Sequence, residues 1–172
     1  VTNGQIVAVV RPTGLEEQSN HNGQKQVELR PEIEDLRILV AKGIEAKETP
    51  SLRKDVWIAD WQRFASQLQS LRIALNQAER ELNRAEVLFK EGLVSGAELE
   101  GRQYQAQKAK ADIRNLEQQT LSTWQIELVR REQSLLDLVA QAEQLNEQRN
   151  LGVIRSPAQG TILFVPGLTV DA

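Results

Sequence analysis

Few side chains in this sequence could take up a proton, attack a carbon or hold a metal. The single histidine, His21, sits in the polar run Asn20-His21-Asn22-Gly23, with no second ligand type arranged around it, and reads as a solvent-exposed loop residue rather than a metal ligand. There is no cysteine, so no thiolate nucleophile, sulfur-held zinc or disulfide can form. No Ser/His/Asp set, glycine-rich phosphate loop or isolated carboxylate pair stands apart from the many glutamates. The expectation is a protein that is not an enzyme and carries no metal and no cofactor.

The chemistry left is that of contact between surfaces, and composition narrows it further. The 172 residues allow one ordinary domain, or one long element with small ends. Hydrophobic residues at 40% and charged residues at 26% make a soluble composition, while seven aromatics are too few for a conventional globular core of this length and favour an elongated shape. The 21 basic and 24 acidic residues give a formal charge of −3, and no basic block is present to neutralise phosphates, so nucleic acid is not an expected partner. No run approaches the roughly 20 apolar residues that cross a bilayer. The start at Val1, with no methionine anywhere, reads as an excised piece from which a signal or membrane anchor has been removed.

Long helices must position whatever contacts exist. Between Pro50 and Pro157 there is no proline, and the stretch is dominated by Ala, Leu, Glu, Gln, Lys and Arg, which lose least on entering a helix. From Trp57 the apolar positions run Trp57, Trp61, Phe64, Leu68, Leu71, Leu75, Ala78, Leu82, Ala85 and Phe89 in alternating steps of four and three, the spacing of a coiled-coil seam. The seam stops where Gly92 suits a left-handed C-terminal cap and Ser95 with Glu98 suits the N-terminus of a new helix. The predicted order is hairpin helix 1 over residues 52–91, a tip turn at 92–95 containing Gly92, and hairpin helix 2 over 96–149 beginning at Gly96. A turn this short requires an antiparallel αα-hairpin.

Helix 2 carries one apolar row at Ala106, Ala109, Ile113 and Leu116 and another at Leu121, Trp124, Leu128, Leu135, Leu138, Ala142 and Leu145. The five-residue step from Leu116 to Leu121 predicts a local change of helix winding or supercoil near Gln118 to Ser122. At about 1.5 Å per residue, helix 1 is roughly 20 Å shorter than helix 2. A short base helix over residues 31–49, with Ile33, Leu36, Val40 and Ile44 as its stripe, makes up the difference. Residues 11–30, with Gly14, Gly23, Asn20 and Asn22, read as a linker. At the ends, Gln5-Ile6-Val7-Ala8-Val9-Val10 and the run from Val153 through the Ser156-Pro157 turn to Val165 read as strands that pair side by side.

A helical hairpin between two halves of a β module resembles the periplasmic adaptor, or membrane fusion (HlyD-like), family. Asn3-Gly4-Gln5-Ile6-Val7-Ala8-Val9-Val10 resembles the end of the first lipoyl half, and Ile154-Arg155-Ser156-Pro157-Ala158-Gln159-Gly160-Thr161-Ile162 the start of the second. Arg84, Leu88 and Ser95 match the spacing of Arg, Leu and Ser or Thr at the hairpin tip of that family, and the extra base helix is similar to its type I secretion branch. The resemblance implies a mainly α fold: a long antiparallel coiled-coil hairpin, the base helix, and a partial lipoyl-like module from residues 1–10 and 153–172. It also implies a periplasmic subunit of a Gram-negative export system, its parent protein anchored in the inner membrane. Six copies would link an inner-membrane transporter of ABC type to a TolC-like outer-membrane channel through Arg84, Leu88 and Ser95. The hairpin occupies the place of a lipoyl lysine turn, so no lipoylation or biotinylation is expected. If Leu82 and Ala85 face inward, Arg84 and Leu88 lie one turn apart on a neighbouring face, pointing away from the partner helix; the plain alternative is a surface leucine with Arg84 paired to Glu81. Ser95 is explained equally by helix capping. At the level of function the alternative is a free-standing coiled-coil spacer or dimerisation scaffold.

Overall fold

The computed structural model describes residues 1–9 and 14–161. The chain is mainly helical with a small antiparallel sheet. Strand β1 (Ile6–Val9) is followed by helix α1 (Leu15–Ile38), a π-helical turn (Leu39–Gly43), helix α2 (Asp55–Lys90), helix α3 (Gly96–Leu151) and strand β2 (Val153–Arg155). Two compact units result, one from the described parts of Val1–Val27 and Leu135–Ala172, the other from Glu28–Ser134.

In the first unit, β1 and β2 pair across nearly the whole sequence, with Ile6 opposite Arg155, Ala8 opposite Ile154, Val9 opposite Val153, and a bulge between Ile6 and Ala8. Gly4 N donates to the Ser156 carbonyl at 2.8 Å and Ser156 N to that of Gln5 at 2.9 Å, which extends the ladder to the Pro157 bend. The expected side-by-side pairing of the two ends is therefore present. Val10 and the strand beyond Thr161 lie outside the described residues.

The expected linker over 11–30 is corrected: the helix begins at Leu15, not at Pro31, and Pro31 lies inside it. An interior proline removes one helix hydrogen bond and usually breaks the element. Here a three-and-four spacing overrides it: Leu15, Ser19, Asn22, Gln26, Leu29, Ile33 and Leu36 are all buried or half-buried. Three of those positions are polar, which disguised the stripe. Asn22, 3% exposed, donates through Nδ2 to the Leu138 carbonyl at 3.0 Å and to Gln141 Oε1 at 3.1 Å, while Gln26 Nε2 donates to Asn22 Oδ1 at 2.7 Å and to the Leu138 carbonyl at 3.2 Å. Buried amides of this kind set helix register at some cost in stability. Asn22→Ala is expected to destabilise the chain by about 1–2 kcal/mol, because Gln26 loses its acceptor and a buried polar site empties. Hydrogen exchange should accelerate over residues 15–27 and stay unchanged over α2; uniform acceleration throughout would refute a local anchor.

In the second unit the apolar positions expected on helix 1 are buried or half-buried from Trp57 to Ala85, and those of α3 from Ala106 to Leu128 are too. Phe89 is the exception and is exposed. The nearest heavy atom to a Cβ built on Gly96 would be Phe89 Cε2 at 3.9 Å, so the ring lies beside a residue with no side chain to cover it. The later a residue lies in α2, the earlier its partner lies in α3: Asp60 meets Trp124 at 2.9 Å, Glu79 meets Lys110 at 3.0 Å and Glu81 meets Arg102 at 2.7 Å.

Of the change of winding or supercoil expected at Gln118 to Ser122, the change of winding does not occur, since α3 is α-helical throughout. The irregularity falls instead in the π turn at Leu39–Gly43, whose residues line a groove together with Glu117, Gln118 and Leu121. The base helix expected over 31–49 thus continues α1 and ends at this turn. Leu36 and Leu39, three residues apart on one face, are both fully buried, with Val40 half-buried beside them. The π turn ends with the Gly43 carbonyl toward Trp61 Nε1, which donates to it at 2.9 Å. A Cβ on Gly43 would stand 2.7 Å from Trp124 Cζ3, so only glycine permits the tryptophan to lie there.

Candidate functional site

The residues singled out by the sequence are strung along the end of α2 and the start of α3: Arg84 and Leu88 within α2, Gly92 and Ser95 in the turn, and Gly96 at the start of α3. Helix α2 ends because Gly92 adopts φ +73, a conformation costly for any residue with a Cβ. Gly92 N then donates to the Phe89 carbonyl at 3.0 Å and Leu93 N to the Leu88 carbonyl at 2.9 Å. These two bonds form a Schellman motif and satisfy carbonyls that a helix end would otherwise leave open. Glu91 N donates to the Val87 carbonyl at 3.3 Å. The α3 helix opens at Gly96, and Ser95 Oγ accepts from Glu98 N at 3.2 Å, so the capping role of Ser95 is present.

Arg84 is exposed, and Glu81, its alternative partner, is taken: Glu81 Oε2 accepts from Arg102 at 2.7 Å and Oε1 from Gln77 at 3.3 Å. Among the described residues Arg84 makes no ion pair. Its guanidinium is always charged and offers five donors in a rigid fork, so it is available to carboxylates or carbonyls. Leu88 is half-buried. The large exposed apolar side chains of this end are Val87, Phe89 and Leu93, none of which belongs to the Arg84, Leu88, Ser95 set. Leu93 had a signal: it follows the αL glycine, where a Schellman motif commonly carries an apolar residue. Ser95 and Gly96 are exposed.

His21 is exposed as expected, but on α1 rather than in a loop. Among the described residues no group of His, Asp and Glu is placed to hold a metal ion, and no helix is long and apolar enough to cross a membrane. A groove beside the π turn is lined by Ile38, Ala41, Ala46 and Pro50, with Arg37 and Lys42 at its rim. Arg37 is committed to Glu132 at 2.7 Å. The arrangement at the turn between α2 and α3 can therefore bind by charge-assisted hydrogen bonding and apolar contact. The chain matches no protein-family profile and no curated protein sequence.

Proposed function

We propose that the chain is the central part of a periplasmic adaptor in a tripartite export system. In this reading α2, the turn and α3 form a coiled-coil hairpin, and the paired ends belong to a lipoyl-like module that the hairpin interrupts. The adaptor links an inner-membrane transporter of ABC type to a TolC-like outer-membrane channel. Its function is geometric: several copies, six by the family resemblance, bring their hairpin tips to the helical ends of the channel. The observation that carries the reading is the pairing of β1 with β2 across almost 150 intervening residues, since a chain that leaves and re-enters one small β module has inserted its helices into it. Arg84, exposed and without an ion pair among the described residues, stands one helical turn before Leu88, with Ser95 beyond the turn, and this supports the tip as the docking end.

The double variant Arg84→Ala, Leu88→Ala tests this in the full-length protein. Export should fall to background. Helicity should be unchanged, and stability should fall only by the effect of truncating a half-buried leucine, about 1–2 kcal/mol. A folded double variant that still exports would sink the proposal. Equal photo-crosslinking from Leu88 and from Ala78, with adducts only between copies of the same protein, would favour the coiled-coil spacer.

A further inference from the structure

We propose that the groove beside the π turn binds a zwitterionic amphiphile, a molecule that carries an ammonium, an acidic group and one alkyl chain, as lysophosphatidylethanolamine does. The proposal stands apart from the adaptor reading and from the turn between α2 and α3. The floor of the groove is apolar: Ile38, Ala46 and Pro50 are half-buried, and Ala41 borders them. Its volume is about 760 Å³, within the roughly 300–1,000 Å³ of small-molecule sites and suited to one alkyl chain. Lys42 and Glu45 also line it, both exposed and three residues apart, yet neither makes an ion pair, with the other or with any described residue. Arg37, by contrast, is committed to Glu132. The groove therefore offers one open cation and one open anion beside an apolar floor. An alkyl anion would meet like charge at Glu45, and an alkyl cation would meet it at Lys42. A ligand with both charges satisfies both side chains by charge-assisted hydrogen bonds while its chain leaves water for the floor.

The groove is built before anything binds. One wall is the end of α1 with the π turn, and the other is formed by Ala46 and Pro50 on the segment over residues 44–54. Both ends of that segment are held. At its start, Glu45 N and Ala46 N donate to the Lys42 carbonyl at 3.2 and 3.0 Å, and the neighbouring Gly43 carbonyl accepts from Trp61 Nε1 at 2.9 Å. At its end, Asp35 accepts from Arg53 N at 2.9 Å and from Lys54 N at 2.7 Å. A wall pinned at both ends has little freedom left to lose, so a modest apolar contact is realised as affinity rather than spent on ordering the site. Lys42 itself lies in the π turn, an irregularity of the kind that recurs at functional sites, and its carbonyl holds the two amides that start the second wall. The backbone that shapes the groove thus also places its open cation.

Calorimetric titration of the chain with lysophosphatidylethanolamine below its critical micelle concentration tests the proposal, beside an alkyl phosphate and an alkyl ammonium of the same chain length. The zwitterion is expected to bind once per chain, at least about tenfold tighter than either singly charged amphiphile. Lys42→Ala and Glu45→Ala, both at exposed positions, should each weaken it by about tenfold with helicity unchanged. Ale46 is not needed for folding of the rim, and Ala46→Phe should abolish binding by filling the floor. Lys47→Ala, exposed and outside the groove, should leave affinity within about twofold. Equal affinity for the three amphiphiles would overturn the assignment, as would the absence of binding. Loss in only one of the two rim variants would refute the double charge recognition, and unchanged affinity in both would place the ligand elsewhere. Export by the tip variants is a separate measurement, so the adaptor reading stands or falls without this one.

Discussion

Replacing Trp124 with alanine is expected to lower the stability of the chain by roughly 3–5 kcal/mol, the range for deleting a large buried aromatic. Trp124 is fully buried on α3. Its ring meets Phe64 edge-on with centroids 5.6 Å apart, and Gly43 has no Cβ so that the indole can approach. Its Nε1 donates to Asp60 Oδ2 at 2.9 Å, so the substitution also strips the Asp60 carboxylate of a donor. Three segments of one unit thus converge on a single side chain: the π turn, α2 and α3. The thermal midpoint should fall by about 10 °C or more. Ile126→Ala, two residues away on the exposed side of α3, should stay within about 0.5 kcal/mol. Denaturant unfolding followed by circular dichroism measures both, and equal losses would show that Trp124 is not the centre of this core.

Asp35→Ala is expected to cost about 3 kcal/mol. Asp35 is 1% exposed, and its two oxygens accept from Arg53 N at 2.9 and 3.0 Å and from Lys54 N at 2.7 Å. Lys54 is the N-cap of α2 and supplies no side-chain cap of its own. The carboxylate of α1 therefore caps a helix that begins 20 residues later, and its charge favours the positive end of the α2 dipole. Hydrogen bonds to a charged acceptor are each worth about 1.5–3 kcal/mol, and removing the acceptor leaves two backbone donors without partners. Asp35→Asn keeps the shape but turns donors toward donors if its amide nitrogen faces the backbone, and should cost about half as much. Amide exchange at Arg53 and Lys54 should accelerate more than in the middle of α2. Unchanged exchange at these two amides would contradict the cross-helix cap.

The periodic positions of α2 were legible from residue order alone because large apolar side chains repeat at three and four without interruption from Trp57 to Ala85, and burial follows that repeat. The turn was legible too, since Gly92, Ser95 and Glu98 each have one backbone task that few other residues perform. The first half of α1 was not. Ser19, Asn22 and Gln26 occupy its inward positions, and an amide counts as a loop signal until its partner is known; Leu138 and Gln141, more than a hundred residues away, are that partner. Asp35 was hidden for the same reason. Nothing local distinguishes a capping carboxylate from a solvated one when the capped helix is elsewhere in the sequence.

At the tip, spacing identified Arg84, Leu88 and Ser95 but not which side chains face solvent. Exposure there depends on where α3 begins: Phe89 continues the seam of α2 and is left uncovered because Gly96 stands beside it. By itself, then, the order of residues determined the helical class, the place of the turn and the paired ends, because propensity, periodicity and glycine or proline stereochemistry act within a few residues. Tertiary structure alone decided the extent of α1, the π turn, the cap supplied by Asp35 and the exposure of Val87, Phe89 and Leu93 around the turn between α2 and α3. Each of these depends on a polar group or a surface whose partner, or lack of one, lies outside the segment that carries it.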